Sequence, residues 1–212
     1  MSVITFEDKR WKEHPQKKEF RHKACASMIT GGTVLDIGCG DGLLLKMLRE
    51  QGVMAAGVDI SPEAVAQCKA AGFEAQTHSL DDALPYPDNS FDTVTMLDIL
   101  EHVYDPQFAL KEAARVARTN LIIGVPNFSS LPARLQVLFG KVPENNRPHK
   151  GHLYWFNWPV LQKLIAKNNL EIAELRLNAP WEYVPGIGVI TKKLARLFPN
   201  VFALSFVVRC TH

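Results

Sequence analysis

Thr33-Val34-Leu35-Asp36-Ile37-Gly38-Cys39-Gly40-Asp41-Gly42-Leu43-Leu44-Leu45-Lys46-Met47-Leu48 holds the features on which the remainder of the chain depends. Residues 33–37 are a short apolar run that predicts a buried parallel strand, residues 38–42 a glycine turn, and residues 43–48 the opening of a helix. A strand, a glycine turn and a helix in that order form a ligand cradle. Glycine belongs in such a turn because the backbone angles exclude side chains and because a ligand must approach the main chain closely.

The spacing decides which ligand. A dinucleotide fingerprint reads G-x-G-x-x-G, whereas Gly38, Gly40 and Gly42 read G-x-G-x-G. Asp36 before the first glycine and Asp41 inside the turn would repel a phosphate held at the helix N-terminus. The cradle therefore favours a cation over NAD. S-adenosylmethionine meets that demand, since it lacks phosphate and carries a sulfonium and an α-ammonium.

Val34-Leu35-Asp36-Ile37-Gly38-Cys39-Gly40-Asp41-Gly42 resembles the first motif of the class I S-adenosylmethionine-dependent methyltransferases. The resemblance extends over roughly the first three-quarters of the chain, and it implies a doubly wound α/β fold with a seven-stranded, mostly parallel sheet whose last strand is antiparallel. It implies S-adenosylmethionine as cofactor and S-adenosylhomocysteine as product. Asp36, Gly38, Cys39 and Gly40 would hold the cofactor from the first motif.

Composition agrees with an ordinary globular domain. The 212 residues are 47% hydrophobic and 22% charged, enough for one full core and short for two. We read one domain, divided into an N-terminal helical cap (1–30), a cofactor-binding core (31–125), a substrate-facing lid (126–170) and C-terminal strands (171–212). No apolar run approaches the roughly 20 residues that cross a bilayer, and the start lacks a signal-peptide core, so no membrane is expected and a cytoplasmic location is the default. A net charge of +2 is too small to imply nucleic acid as a partner. Cys25, Cys39, Cys68 and Cys210 are scattered without a C-x-x-C pair and read as free thiols.

Along the chain, residues 8–28 predict an amphipathic helix interrupted at Pro15, with Trp11, Phe20 and Ala24 on a stripe that packs on the sheet; the resemblance implies the alternative that such a helix lies across the cofactor mouth. A second strand over residues 53–59 ends in Asp59, which follows Gly38 by 21 residues, the spacing at which a carboxylate takes both ribose hydroxyls. Ser61 with Pro62 after it is the better N-cap for the helix over 62–71, which leaves Asp59 for a ligand. By resemblance, Ile60 covers the adenine face. A third strand spans 74–77, and Ser79, Leu80 and Asp81 fall where relatives place an Asp that bonds the adenine amino group.

The fourth strand, 91–97, delivers Leu97 and Asp98 to the carboxyl edge, where they would border the methionine half of the cofactor. A helix over 106–117 and a fifth strand over 121–125 follow. Beyond these, residues 134–141 predict a short helix, 143–151 a polar lid, 159–168 a helix, 171–178 a sixth strand, and 201–209 a seventh, antiparallel at the sheet edge.

Methyl transfer from a sulfonium needs alignment and, for some nucleophiles, a base. His102, His149 and His152 are candidate bases, with His102 and His152 preferred. Asp98, Glu101 and His102 with the downstream His152 resemble the metal site of the ubiquinone-biosynthesis and small-RNA 3′-end O-methyltransferases, which use Glu-x-x-Glu-His. Many methyltransferases carry Leu-Glu-His here without an ion, so a divalent ion is not expected. Tyr154, Trp155, Phe156, Trp158, Trp181 and Tyr183 are candidate substrate-pocket aromatics.

Pro126-Asn127-Phe128, Arg134-Leu135-Gln136 and Gly140-Lys141-x-Pro143 are similar to MetW and related bacterial methyltransferases. That likeness implies a possible protein partner, since MetW is associated with homoserine acetylation. Glu101-His102 takes the common methyltransferase form and favours an enzyme that methylates a small-molecule acceptor, most plausibly at oxygen; the alternative is a MetW-like regulatory partner in methionine biosynthesis.

Overall fold

A computed structural model describes residues 3–13, 16, 19–147 and 151–212. Helices α1 (Val3–Glu13) and α2 (Phe20–Met28) precede β1 (Thr33–Ile37), α3 (Leu43–Glu50), β2 (Met54–Asp59), α4 (Pro62–Ala70), β3 (Glu74–Thr77), β4 (Phe91–Leu97), α5 (Pro106–Val116) and β5 (Ala117–Pro126). Then come α6 (Leu131–Leu138), α7 (Trp158–Lys167), β6 (Glu171–Asn178), α8 (Ile187–Leu197), α9 (Pro199–Phe202) and β7 (Ser205–Thr211). The strands form one sheet in the order β3-β2-β1-β4-β5-β7-β6, parallel up to β5, with β7 antiparallel to both neighbours. The expected seven-stranded α/β sheet is present. β7 is not at the edge as expected; it is inserted between β5 and β6, and β6 forms the edge.

Alternation along the central strands divides the core between two faces. Leu35, Ile37, Val94, Met96, Leu121 and Ile123 pack against α5 and α7, while Val34, Ile122 and Val207 pack against α2 and α3. Both faces of the central strands are covered, which is why these strands read as continuous apolar runs.

Several boundaries move. Strand β5 begins at Ala117, which is buried and pairs with Phe91; a register shift then passes over the exposed Arg118 and Thr119, and pairing with β4 resumes at Asn120. Helix α6 starts three residues before the expected site, with Ser130 as its N-cap and Pro132 in its first turn. Helices α8 and α9 occupy residues for which the sequence pattern predicts no helix and, at 201–202, the start of the last strand. Pro15 and His149 lie outside the described residues. All four cysteines are buried and free. Among the described residues, no helix is long and apolar enough to cross a membrane.

Candidate functional site

A cleft opens at the carboxyl edge of the parallel strands. Its floor is Ile37, Gly38, Val58, Asp59 and Ile60; His78, Ser79, Leu80 and Asp81 form one wall, and Leu97, Asp98, Ile99, His102, Val103 and Tyr104 the other. Glu7, Trp11, Gln16 and Arg21 close it from above. The expected residues Gly38, Asp59, Ile60, Ser79, Leu80, Asp81, Leu97, Asp98 and His102 thus share one cavity.

Gly38 sits at φ +75°, and a Cβ there would fall 2.0 Å from Ile99 Cδ1. Only glycine fits both the angle and the space. Asp59 ends β2 with one carboxylate oxygen accepting from Gly40 N–H and the other from Ser61 N–H, each at 2.9 Å. Ser61 caps α4 by accepting from Ala64 N–H at 3.1 Å. The capping duty therefore falls to Ser61, and the backbone fixes the Asp59 carboxylate in the cleft floor.

The cap α1 covers the glycine turn instead of merely packing on the sheet. A Cβ on Gly40 would lie 2.3 Å from the Trp11 ring, which is buried. Asp8 accepts from Ser61 Oγ and Glu63 N–H, and Gln67 Nε2 donates to Trp11 O, so α1 is clipped to the start of α4. Asp41 accepts from Gln16 N–H at 2.8 Å and ties the chain after α1 to the turn.

Arg21 of α2 reaches into the cleft and places its guanidinium 3.1 Å from Asp98. Asp98 holds φ +55°, the left-handed region that few non-glycine residues occupy and that Asp tolerates better than most, while its N–H donates to Gly124 O at 2.9 Å. A fixed cation and a fixed anion thus face each other where β1 and β4 end. Sequence reasoning missed Arg21 because it lies 77 positions from Asp98, within a basic cluster that reads as a solvated face.

Asp36, Cys39 and Gly40 do not line the cleft. Asp36 points between the sheet and α2, almost wholly buried, and accepts from the Thr95 hydroxyl at 2.6 Å. Burial pushes its carboxyl up to about 7 against the opposing pull of that hydrogen bond. The Cys39 thiol turns away toward Cys68, 3.8 Å off, and its hydrogen bond to Cys68 and its burial drive its ionisation far above the usual range. Gly40 contributes its N–H to Asp59 and its surface to Trp11.

At the other end of the cleft, Glu101, His102 and His152 converge, with one ligand atom from each lying within 4.8 Å of the others. Glu101 is fully buried, and its backbone oxygen accepts from Leu153 and Tyr154 N–H, which straps the lid to the loop after β4. His102 Nδ1 sits 3.3 Å from Gly151 O, and His152 Nδ1 2.6 Å from Asn145 O. In the neutral rings these carbonyls fix the proton on Nδ1 and make Nε2 the acceptor. The resemblance groups Asp98 with these residues, but residues 98–104 form bends and turns, and Asp98 pairs with Arg21.

The candidate aromatics do not line the cleft. Phe156 is core, Trp158 packs on Phe206 with ring centroids 5.3 Å apart and planes tilted by 44°, and Trp155, Trp181 and Tyr183 are exposed. Tyr154 donates its hydroxyl to Tyr104 O at 2.8 Å, and Tyr104 borders the cavity together with Trp11.

The profile of the family described as "Methionine biosynthesis protein MetW" matches residues 20–180. A Xanthomonas oryzae pv. oryzae protein named ubiquinone biosynthesis O-methyltransferase is 31% identical over 111 residues, 50% of this chain and 46% of that protein. One of the same name from Xylella fastidiosa is 30% identical over 96 residues, 42% of this chain and 39% of that protein. The chain therefore spans less than half the length of these relatives. A putative methyltransferase of Haloferax volcanii, solved with the Trm112 activator, superposes with TM-score 0.72 at 19% identity over 100% of this chain and 99% of that one. Magnesium protoporphyrin IX methyltransferase from Synechocystis with bound S-adenosylhomocysteine gives 0.66 at 18% identity over 99% and 95%. The likeness in structure extends to the whole sheet, and the sequence match through residues 20–180 makes this chain a member of the MetW family with the class I methyltransferase fold.

Proposed function

We propose that this protein is an S-adenosylmethionine-dependent methyltransferase acting on a small molecule, at oxygen. The observation that carries the reading is the Asp59 carboxylate, held in the cleft floor by two backbone N–H groups beside a glycine turn with no space for a Cβ. Asp59 takes the ribose hydroxyls, Ile60 the adenine face, and Ser79, Leu80 and Asp81 the adenine edge. Arg21 and Asp98 suit the two charges of an amino-acid moiety, the first its carboxylate and the second its ammonium. A phosphate would meet Asp59 and Asp98 instead, so a dinucleotide fits poorly.

The bound cofactor supplies a methyl group on a sulfonium. The chain's own contribution is to align an acceptor beside Tyr104 and His102 and to take its proton at an imidazole Nε2 as the new bond forms. The named relatives methylate oxygen, which supports that acceptor atom. The compact Glu101, His102 and His152 group supports a second reading of the same corner, a divalent cation that polarises an acceptor hydroxyl. The family match supports another alternative, a cofactor-binding partner of a methionine-biosynthesis enzyme.

Asp59→Ala should weaken S-adenosylmethionine binding by about 1 to 3 kcal/mol, the cost of leaving polar groups unpaired. Calorimetry checks this, and unchanged affinity would remove the assignment. Cofactor affinity without turnover across phenol, catechol and carboxylate acceptors would favour the partner role, and absence of binding heat from magnesium or manganese would dismiss the cation.

A further inference from the structure

The small net charge conceals a division. Of the 22 acidic residues, 18 precede Pro126 and four follow it, whereas the 24 basic residues divide 13 and 11. The part before Pro126 therefore carries −5 and the part from Pro126 onward +7. No acidic residue occurs between Pro126 and Pro143, or from Tyr183 to the end of the sequence. These acid-free stretches include α6 and α8.

Helix α8 presents its small residues inward and its large apolar ones outward. Gly188, Thr191 and Ala195 are buried, and a Cβ on Gly188 would lie 2.2 Å from Glu182 O, so the helix sits close upon its support. Ile187, Ile190, Leu194 and Leu197 recur at the spacing of one helical stripe, and Ile190 and Leu197 are 61% and 62% exposed. Exposed Lys192, Lys193 and Arg196 run alongside. At the end of α6, the consecutive residues Val137, Leu138 and Phe139 are 60%, 75% and 74% exposed, between Arg134 and Lys141.

Both elements leave the same edge of the sheet. Pro126, Ser205 and Asn178 stand side by side in register there, and this is the carboxyl edge that bears the cleft. Asn127 Nδ2 donates to Ala203 O and Asn200 O, and Ser129 Oγ donates to Asn200 Oδ1, which fixes the lead into α6 against α9. The exposed apolar groups are thus held on an anchored frame.

We propose that the α6 and α8 edge docks on an anionic lipid bilayer surface, with the apolar tips entering the headgroup boundary and the flanking lysines and arginines meeting lipid phosphates. Consecutive residues on a helical end point about 100° apart, so no flat protein face covers Val137, Leu138 and Phe139 together. A fluid interface surrounds all three. The acid-free composition complements an anionic leaflet, and an apolar stripe beside basic residues is the pattern of helices that lie in a membrane interface. Docking at this edge would bring the cleft near an acceptor dissolved in the bilayer.

The test is sedimentation of the full chain with vesicles of phosphatidylcholine alone and of phosphatidylcholine with a third phosphatidylglycerol, near physiological salt. The proposal expects binding to the anionic vesicles roughly tenfold above the neutral ones, consistent with a contribution from each basic residue near the surface. Leu138→Glu with Phe139→Glu, and separately Ile190→Glu with Leu197→Glu, should each lower that binding at least severalfold. These side chains are exposed, so melting temperature and cofactor affinity should stay at the native values. Absence of vesicle binding would overturn the proposal, as would binding unchanged in both double variants. Light scattering that finds a dimer dissociated by the same substitutions, without lipid binding, would assign the surface to a second copy and would also overturn it.

Discussion

Asp36 illustrates how a residue in the defining motif acts from beneath the site. Alternation along β1 turns it to the α2 face, where Thr95 donates to it and the side chain is almost wholly buried. Its native carboxyl ionises near 7, above its ordinary value near 4. The sign follows from linkage. Below the ordinary value both states hold the proton and the group is neutral to stability; above 7 the native state carries a buried charge that the unfolded chain solvates better. Stability from this residue therefore falls as pH rises between those values, by on the order of 4 kcal/mol at most. Asp36→Asn should raise the melting temperature relative to the native chain at pH 8 and much less at pH 5. Equal shifts at the two pH values would show that Asp36 is not buried as described. Asp36 and Gly38 were legible because the strand and turn are local; the inward aim of Asp36 was not, since it depends on which helix covers that face.

At the scale of elements, the lead into the lid is tied down by side-chain to backbone bonds. Asn127, fully buried after β5, donates to Ala203 O at 2.7 Å and accepts from Ser129 N–H at 3.0 Å. Asn127→Ala would leave the buried Ala203 carbonyl without that donor and should lower unfolding free energy by about 1 to 3 kcal/mol. Urea denaturation measures this, and an unchanged midpoint would contradict the described knot. The elements from β1 to α5 were readable within a residue or two because each carries its own period or cap, as at Ser61-Pro62 and Asp105-Pro106, whereas α1 begins at Val3, five residues before the expected start. Helix α8 was not readable, because its buried face is Gly188, Thr191 and Ala195 while its bulky residues face outward. The roof was legible only through the resemblance, because Trp11 covers Gly40 through contacts between distant parts of the chain.

Taken whole, the molecule is a cofactor cradle with an acidic part before Pro126 and a basic part from Pro126 onward. The cradle was legible from the glycine turn and the Asp59 spacing, both short-range. The acceptor corner was legible only as separate residues, since Glu101 and His152 meet through a lid strapped across 51 positions of sequence, and the same folding removes Asp98 from the group. Glu101→Gln should reduce turnover at saturating cofactor while leaving cofactor affinity within twofold, because the cluster lies at the acceptor end; single-turnover and binding measurements together would separate these effects. The cradle itself is tested by calorimetric titration of the purified protein with S-adenosylmethionine and S-adenosylhomocysteine, with NAD as control. Micromolar binding of the first two and no heat from NAD is the predicted result. No binding of either, or binding of NAD in their place, would contradict the cofactor assignment made from Asp59 and Gly38.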